Sequence, residues 1–293
     1  MIDALGRSGA PGDPRGFGGL GPASPEGSDI EGAAPLPRRS NDVAGDGPGA
    51  PRPLLRLDRV SKAYGAVVVT DDLSFEVASG EALGVGVIGP NGAGKTTMFN
   101  LISGDVTPDR GRILFDGVDI TAWSSHRRCA TGIARTYQIP LPFTGMTVFE
   151  NILVGATFAR RRSARDADDL SVALLRRTGL AQKANLLAGS LSLLDRKRLE
   201  LARALATGPR LLLLDEIAGG LTEHEVAALI ATVNEIRRAR VAIIWIEHIV
   251  HALMSVVDRL LVINLGRRLA DGDPKTVMAS PEVRKVYMGI DIP

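Results

Sequence analysis

A single cysteine, Cys129, stands among 293 residues, so no disulfide can form within the chain, and one thiol alone is a poor start for a metal site. A reducing compartment suits such a sequence. Aromatic residues are scarce at 4%, which leaves aliphatic side chains to build the core. Charge of one sign is also lacking: 35 Lys and Arg stand against 33 Asp and Glu, a formal net charge of +2. That balance provides no global field for holding nucleic acid or an anionic membrane, and disfavours a dedicated nucleic-acid binder. No apolar run approaches the ~18 residues that span a bilayer, and the opening MIDALGRSGAPGDPRG lacks the apolar centre of a signal peptide. The expectation is a cytosolic chain unless a partner holds it elsewhere. What is present is ordinary globular material, 45% hydrophobic and 23% charged, enough for about two domains or one large domain with a subdomain.

Residues 1–53 hold 12 of the 33 Gly and 9 of the 17 Pro, with Phe17 the only aromatic. Such a segment cannot bury enough surface to offset its ordering entropy, and is expected to be a disordered tail, or in part to precede the true start. Order is expected from residue 54. Alternating Leu55 and Leu57 with the later Val60, then Leu73, Phe75 and Val77, predict two antiparallel strands with one buried face. ALGVGVIG is a nearly continuous apolar run, the pattern of a strand buried on both faces, and KTTMFNLISG behind it is a helix closing at Gly104. RLLLLDE and VAIIWIEH repeat the short apolar run. Strands alternating with helices imply an α/β fold with a mainly parallel sheet. Residues 146–208 hold almost nothing β-like and are expected to form a helical subdomain inserted in that topology.

The strongest motif is Gly89, Pro90, Asn91, Gly92, Ala93, Gly94, Lys95 and Thr96, a G-x-x-x-x-G-K-[ST] loop that follows a buried strand and opens a helix. Glycines let backbone N–H groups and the helix N-terminus surround phosphates, Lys95 reaches the β/γ-phosphates, and Thr96 offers its hydroxyl to Mg²⁺. Asp215 ends the apolar run Leu211–Leu214, where a carboxylate can hold Mg²⁺ through its water shell. Glu216 follows it, either to polarise an attacking water or as a helix N-terminal Glu favoured by the dipole.

These residues resemble those of the ATP-binding subunits of ABC transporters over residues 54–290. The resemblance implies a P-loop ABC ATPase with a RecA-like, mainly parallel core sheet, an N-terminal antiparallel β part and the helical insertion, using ATP and Mg²⁺. It makes Tyr64 the aromatic on adenine, Gln138 the sensor of Mg²⁺ and γ-phosphate, His248 a γ-phosphate contact, and Thr97 part of the phosphate loop. Ser192 belongs to the signature loop, which completes the site of an opposite subunit. A dimer with an identical or a second ATP-binding subunit is therefore implied. GIARTYQ, MTVFENILVG, RKRLELARALAT and the ending with Pro281, Val283, Tyr287 and Gly289 are similar to branched-chain amino-acid importers, whose relatives carry urea and other small amides. Permease subunits, an indirect solute-binding protein and a place on the cytoplasmic face of the membrane follow from that, without nucleic acid. Two rivals stand beside it: a soluble ABC ATPase acting on DNA or ribosomes, which usually has coiled-coil insertions or two cassettes, and a non-catalytic regulatory cassette.

The sequence departs from the family at its signature loop, LSGGQ, which here is Leu191-Ser192-Leu193-Leu194-Asp195. Leu194 stands where glycine would permit close approach, and Asp195 is expected to bring negative charge near an anion, with Arg196, Lys197 and Arg198 to offset it. Ile217 stands for the usual Pro and Thr222 for an Asp. GEALGVGVIGP is two residues longer than in relatives, which an extended turn after Gly80 would absorb. The expected roles elsewhere are plain: His126, His224 and His251 as surface or helix residues, Cys129 as a passive thiol. Arg160–Arg162 with Arg165, mixed with Asp166, Asp168 and Asp169, should form a solvated helix face.

Overall fold

The computed structural model describes residues 52–79, 84–159 and 162–288. The expected tail as far as residue 51, the turn after Gly80, Arg160, Arg161 and Gly289 lie outside the described residues. In chain order the elements are β1 (Leu55–Tyr64), β2 (Val67–Val77), β3 (Gly84–Ile88), α1 (Lys95–Ser103), β4 (Arg110–Phe115), β5 (Val118–Asp119), α2 (Ser125–Thr131) and β6 (Ile133–Arg135). There follow α3 (Val148–Phe158), α4 (Ala164–Arg177), α5 (Leu193–Ala206), β7 (Leu211–Asp215), α6 (Glu223–Arg238), β8 (Ala242–Ile246), α7 (Val250–Met254), β9 (Arg259–Asn264), β10 (Arg267–Gly272), α8 (Pro274–Ala279) and α9 (Pro281–Met288).

Two sheets are formed. The first is antiparallel, in the order β2-β1-β4-β5. Leu55, Leu57, Val60, Leu73, Phe75 and Val77 are all buried, as their alternation predicts. The three-residue step from Leu57 to Val60 has a physical cause: the register shifts there, and Arg59 takes a positive φ of 51°, a bulge that returns Val60 to the buried face. The second sheet has the order β10-β9-β3-β8-β7-β6 and is parallel except for the β9–β10 pair. Every residue of β3, β7 and β8 is buried, which is why these strands appear as uninterrupted apolar runs. Leu211 and Leu213 face a core shared with the first sheet and α1, whereas Leu212 and Leu214 face a core shared with α3, α5 and α6.

Three helices and two short 3₁₀ turns occupy residues 148–206. Thr147, Ser163 and Ser192 cap α3, α4 and α5 by accepting a backbone N–H three residues on, and Thr147 and Glu150 close a reciprocal capping box. Arg162 departs from the expected solvated face: it donates to the carbonyls of Ala156 and Ala206, at 3.0 and 2.9 Å, and joins the ends of α3 and α5.

The orientation of α1 depends on Arg128, which is fully buried. Its guanidinium donates to the carbonyls of Leu101, Ile102, Trp123 and Thr121 at 2.5, 3.1, 3.0 and 2.9 Å. Two of those carbonyls belong to the last turn of α1, where backbone acceptors have no partner in the helix and a cation suits the dipole. Burial pushes the Arg128 pKa down to about 10, against the opposing pull of Asp105 and Asp119. Arg128→Met keeps the volume but strips four carbonyls of their donor, and is expected to destabilise the fold by about 3 kcal/mol or more in a urea melt.

Candidate nucleotide-binding site

The residues singled out in sequence follow the C-terminal ends of adjacent parallel strands: β3 runs into Gly89, β6 into Gln138, β7 into Glu216 and β8 into His248. That edge is where open α/β sheets take ligands. After β3 the chain turns at Gly89 with φ +156°, and at Gly94 with φ +100°. A Cβ at Gly89 would stand 2.1 Å from the Ile263 carbonyl oxygen, and one at Gly94 2.4 Å from that of Val69. Only glycine lets the loop press this closely on β9 and β2. α1 then starts on Gly94 with no side-chain cap and no acidic residue in its first turn, which leaves its opening N–H groups for an anion. Lys95 is buried and folds back, its Nζ donating to the carbonyls of Gly89 and Pro90 at 2.7 and 2.8 Å. Burial pulls its pKa below the ordinary lysine value, and the charges of Glu216 and Asp215 pull it back up. Asn91, Gly92 and Thr96 are exposed, whereas Ala93 and Thr97 are buried beneath the loop.

Asp215 and Glu216 are treated differently by their surroundings. Asp215 is buried and paired with Arg135, Nη2 to Oδ2 at 2.8 Å. Burial raises its pKa above the carboxylate norm, and the Arg135 hydrogen bond and charge restrain the rise. Glu216 stands with its backbone in the left-handed region at φ 47°, unusual for a side chain with a Cβ. It does not open a helix, since α6 starts at Glu223. Gln138 Nε2 donates to Glu216 Oε2 at 2.5 Å, and His248 Nε2 lies 2.7 Å from Oε1, so both carboxylate oxygens are held.

Three further residues support this arrangement; sequence reasoning singled out only Lys197 among them, and as a counter-charge for Asp195 rather than a partner of Glu216. Lys197, buried on α5, donates to the Glu216 carbonyl at 3.3 Å and stabilises its left-handed turn. Glu247, 1% exposed, accepts from the backbone of Ala218 and of His248, each at 3.0 Å, and thereby locks together the turns that carry Glu216 and His248. Arg135 is the third. For Glu247 a signal existed, a carboxylate directly after the apolar AIIWI strand.

Tyr64 is half-exposed at the end of β1, paired with Val67, and the neighbouring Val69 carbonyl abuts Gly94. The β1–β2 hairpin thus borders the phosphate loop. Ser192 is not gathered with that group. It caps α5, and its hydroxyl donates to Asp195 Oδ2 at 2.8 Å. Here the structure corrects the expectation for Asp195, which is buried rather than turned toward an incoming anion. Its carboxylate pairs with Lys183 and, at 3.8 Å, with Arg198, while Arg196 goes instead to the Gly189 carbonyl. Burial pushes the Asp195 pKa up, but the hydrogen bonds from Lys183 and Ser192 outweigh it and hold the carboxyl below its ordinary value. Thr222, placed where an Asp is usual, caps α6 in a box with Glu225.

A glycine loop between a buried strand and an uncapped helix, with a lysine in the loop and an acidic pair at the end of the next strand but one, defines a P-loop nucleoside-triphosphate-binding α/β protein. The ABC transporter family profile matches residues 70–219. The high-affinity branched-chain amino acid transport ATP-binding protein BraF of Pseudomonas aeruginosa is 36% identical over 253 residues, covering 81% of this chain and 98% of that one. Its counterpart LivG of Escherichia coli K12 is 34% identical over 253 residues, with the same coverage. A crystal structure of the ADP conformation of an ATP-binding cassette from an ABC transporter superposes with a TM-score of 0.73 at 28% identity, covering 82% of this chain and all of that one. The chain belongs to the ABC transporter family, as an ATP-binding cassette with ATPase activity.

Asp195→Asn retains the shape but loses the ion pairs, and is expected to destabilise the protein by about 1–2 kcal/mol at pH 7 in a denaturant melt, since Lys183 is partly exposed. Because the folded pKa is depressed, this stabilisation is complete above the unfolded pKa of about 4 and disappears as pH falls through the folded value. The gap between parent and variant should narrow accordingly.

Proposed function

We propose that the chain drives import of branched-chain amino acids or related small solutes, as one of two ATP-binding subunits on the cytoplasmic face of a membrane, docked on permease subunits that a solute-binding protein supplies. The solute class is supported by identity to BraF and LivG across nearly their whole length. A peripheral position is compatible with the described helices, none of which is long and apolar enough to cross a membrane.

The substrate is ATP with its Mg²⁺. Gly89–Thr97 provides the phosphate cradle, Lys95 exchanges its loop carbonyls for β/γ-phosphate oxygens, and Thr96 and Asp215 face the metal side. Tyr64 offers an aromatic surface to the base, and Ser192 serves the nucleotide on the other subunit. Gln138 also reaches the metal and the γ-phosphate. The observation that carries hydrolysis is the clamp on Glu216, with one oxygen held by Gln138 and the other by His248. Each oxygen keeps a second lone pair, but the two contacts fix the carboxylate toward Gln138 and His248 and compete with a water for it. When Gln138 and His248 turn to the γ-phosphate, Glu216 is freed to polarise the attacking water, which couples hydrolysis to a bound triphosphate.

Lys95→Ala deletes the loop's only cation and is expected to abolish tight ATP binding in a calorimetric titration. Unchanged affinity would refute the assignment of Lys95. Glu216→Gln should bind ATP normally but release phosphate slower by a factor on the order of 10² in the assembled transporter. Turnover at the parental rate would instead favour another base, and a parental protein without turnover in its complex would favour the regulatory cassette.

A further inference from the structure

Arg135 is the most heavily committed side chain near the site, and nothing in the phosphate chemistry above uses it. Its side chain is 6% exposed and lies between Asp215, 5% exposed, and the phosphate-loop helix. Nη2 donates to Asp215 Oδ2 at 2.8 Å; Nη1 donates to Asn100 Oδ1 at 2.6 Å and lies 3.3 Å from Asp105 Oδ2. The guanidinium also packs near the rings of Phe99 and Tyr137, 5.6 and 4.9 Å from their centroids. Nε is buried without an acceptor, so the fork is aimed at these partners at the expense of its own third donor. Asp215 Oδ1 carries no hydrogen bond among the described residues.

We propose that Arg135 is the positioning residue of the metal-side carboxylate. By taking Oδ2 it fixes the Asp215 rotamer with Oδ1 left for the hydrated Mg²⁺, and by gripping Asn100 and Asp105 it keeps that carboxylate in register with α1, which carries Thr96. The two halves of the metal site, on β7 and α1, are then aligned by one planar fork. Arginine suits this because its donors are rigidly spaced, whereas a lysine ammonium at the same place reaches one partner or the other. The inference rests on the reading of Asp215 as the metal-side group, and its test separates the two.

The measurement is the affinity of the full-length chain for a fluorescent ribose-labelled ATP, with MgCl₂ and with EDTA, and the readout is the ratio of the two. Arg135→Met is expected to cut the Mg²⁺ enhancement at least fivefold while changing the EDTA affinity less than twofold. Arg135→Lys should recover part of the enhancement, and Asn100→Ala should lose part. Asp215→Asn serves as the reference and should remove most of it. If Asp215→Asn abolishes the enhancement but Arg135→Met retains it, Arg135 is not the positioning residue. Equal losses with Mg²⁺ and with EDTA would mean a disturbed loop, and also overturn the proposal. If Asp215→Asn itself keeps the enhancement, the reading of Asp215 fails and the proposal with it. Should Arg135→Met not fold, Arg135→Lys and Asn100→Ala decide: parental ratios in both overturn it.

Discussion

Two consecutive carboxylates at the end of a buried strand, beside a loop shaped for phosphates, are the constraint around which this protein is organised. Unit charges 4 Å apart interact with about 4 kcal/mol at the effective dielectric of a protein surface, so an acidic pair and a polyanion cannot share such a pocket without nearby cations. Three are present, and each arrives from a different element: Lys95 from α1, Arg135 from β6 and Lys197 from α5. All three are nearly buried. Charge compensation therefore also serves as architecture, since satisfying Asp215 and Glu216 fixes the phosphate-loop helix, the edge strand and the signature helix against one strand end.

The same economy extends to the backbone. The Glu216 turn is left-handed, a conformation that costs of order 1–3 kcal/mol for such a residue. Its N–H donates to Ile246 at 2.9 Å, its carbonyl accepts from Lys197, and Glu247 holds the following Ala218. Strain at Glu216 is thus borne by contacts from β8 and α5. A displacement of α5, which starts at the signature Ser192, acts directly on the backbone of Glu216 through Lys197.

What could be read from sequence and what could not divides along the same line. The phosphate loop is local: its chemistry belongs to contiguous backbone, and a short glycine pattern suffices. The fully buried strands declare themselves as apolar runs for an equally local reason. The β4–β5 pair, not anticipated, had a readable sign in Asp116-Gly117, both at positive φ in the connecting turn. Arg135 was unreadable because its partners are distant in sequence, Asp215 being 80 residues away, and Arg128 because its acceptors are backbone carbonyls, two of them 26 and 27 residues away, which no residue type marks. An arginine in a helix or strand carries no mark of whether it faces solvent or a buried acceptor. Arg162 illustrates the point, since a run of arginines among aspartates looks solvated and yet one of them joins two helix ends.

Asp195 shows how the sign of a charge can mislead when its direction is unknown. A carboxylate at the N-terminus of a signature helix suggests repulsion of the phosphate it should meet. In the fold it caps that helix together with Ser192 and is opposed by Lys183 and Arg198, so the cluster of one acid and two bases is net positive. The helix end keeps its dipole, and the carboxylate in its first turn is already compensated by those two bases. What the variant loop changes is the serine. Ser192 already donates to Asp195, so a phosphate meeting this hydroxyl, as the proposed role of the loop requires, would have to replace that acceptor. In that proposed role the cost falls on exchange of a hydrogen bond and not on repulsion from a bare carboxylate, because Asp195 is already paired with Lys183 and Arg198.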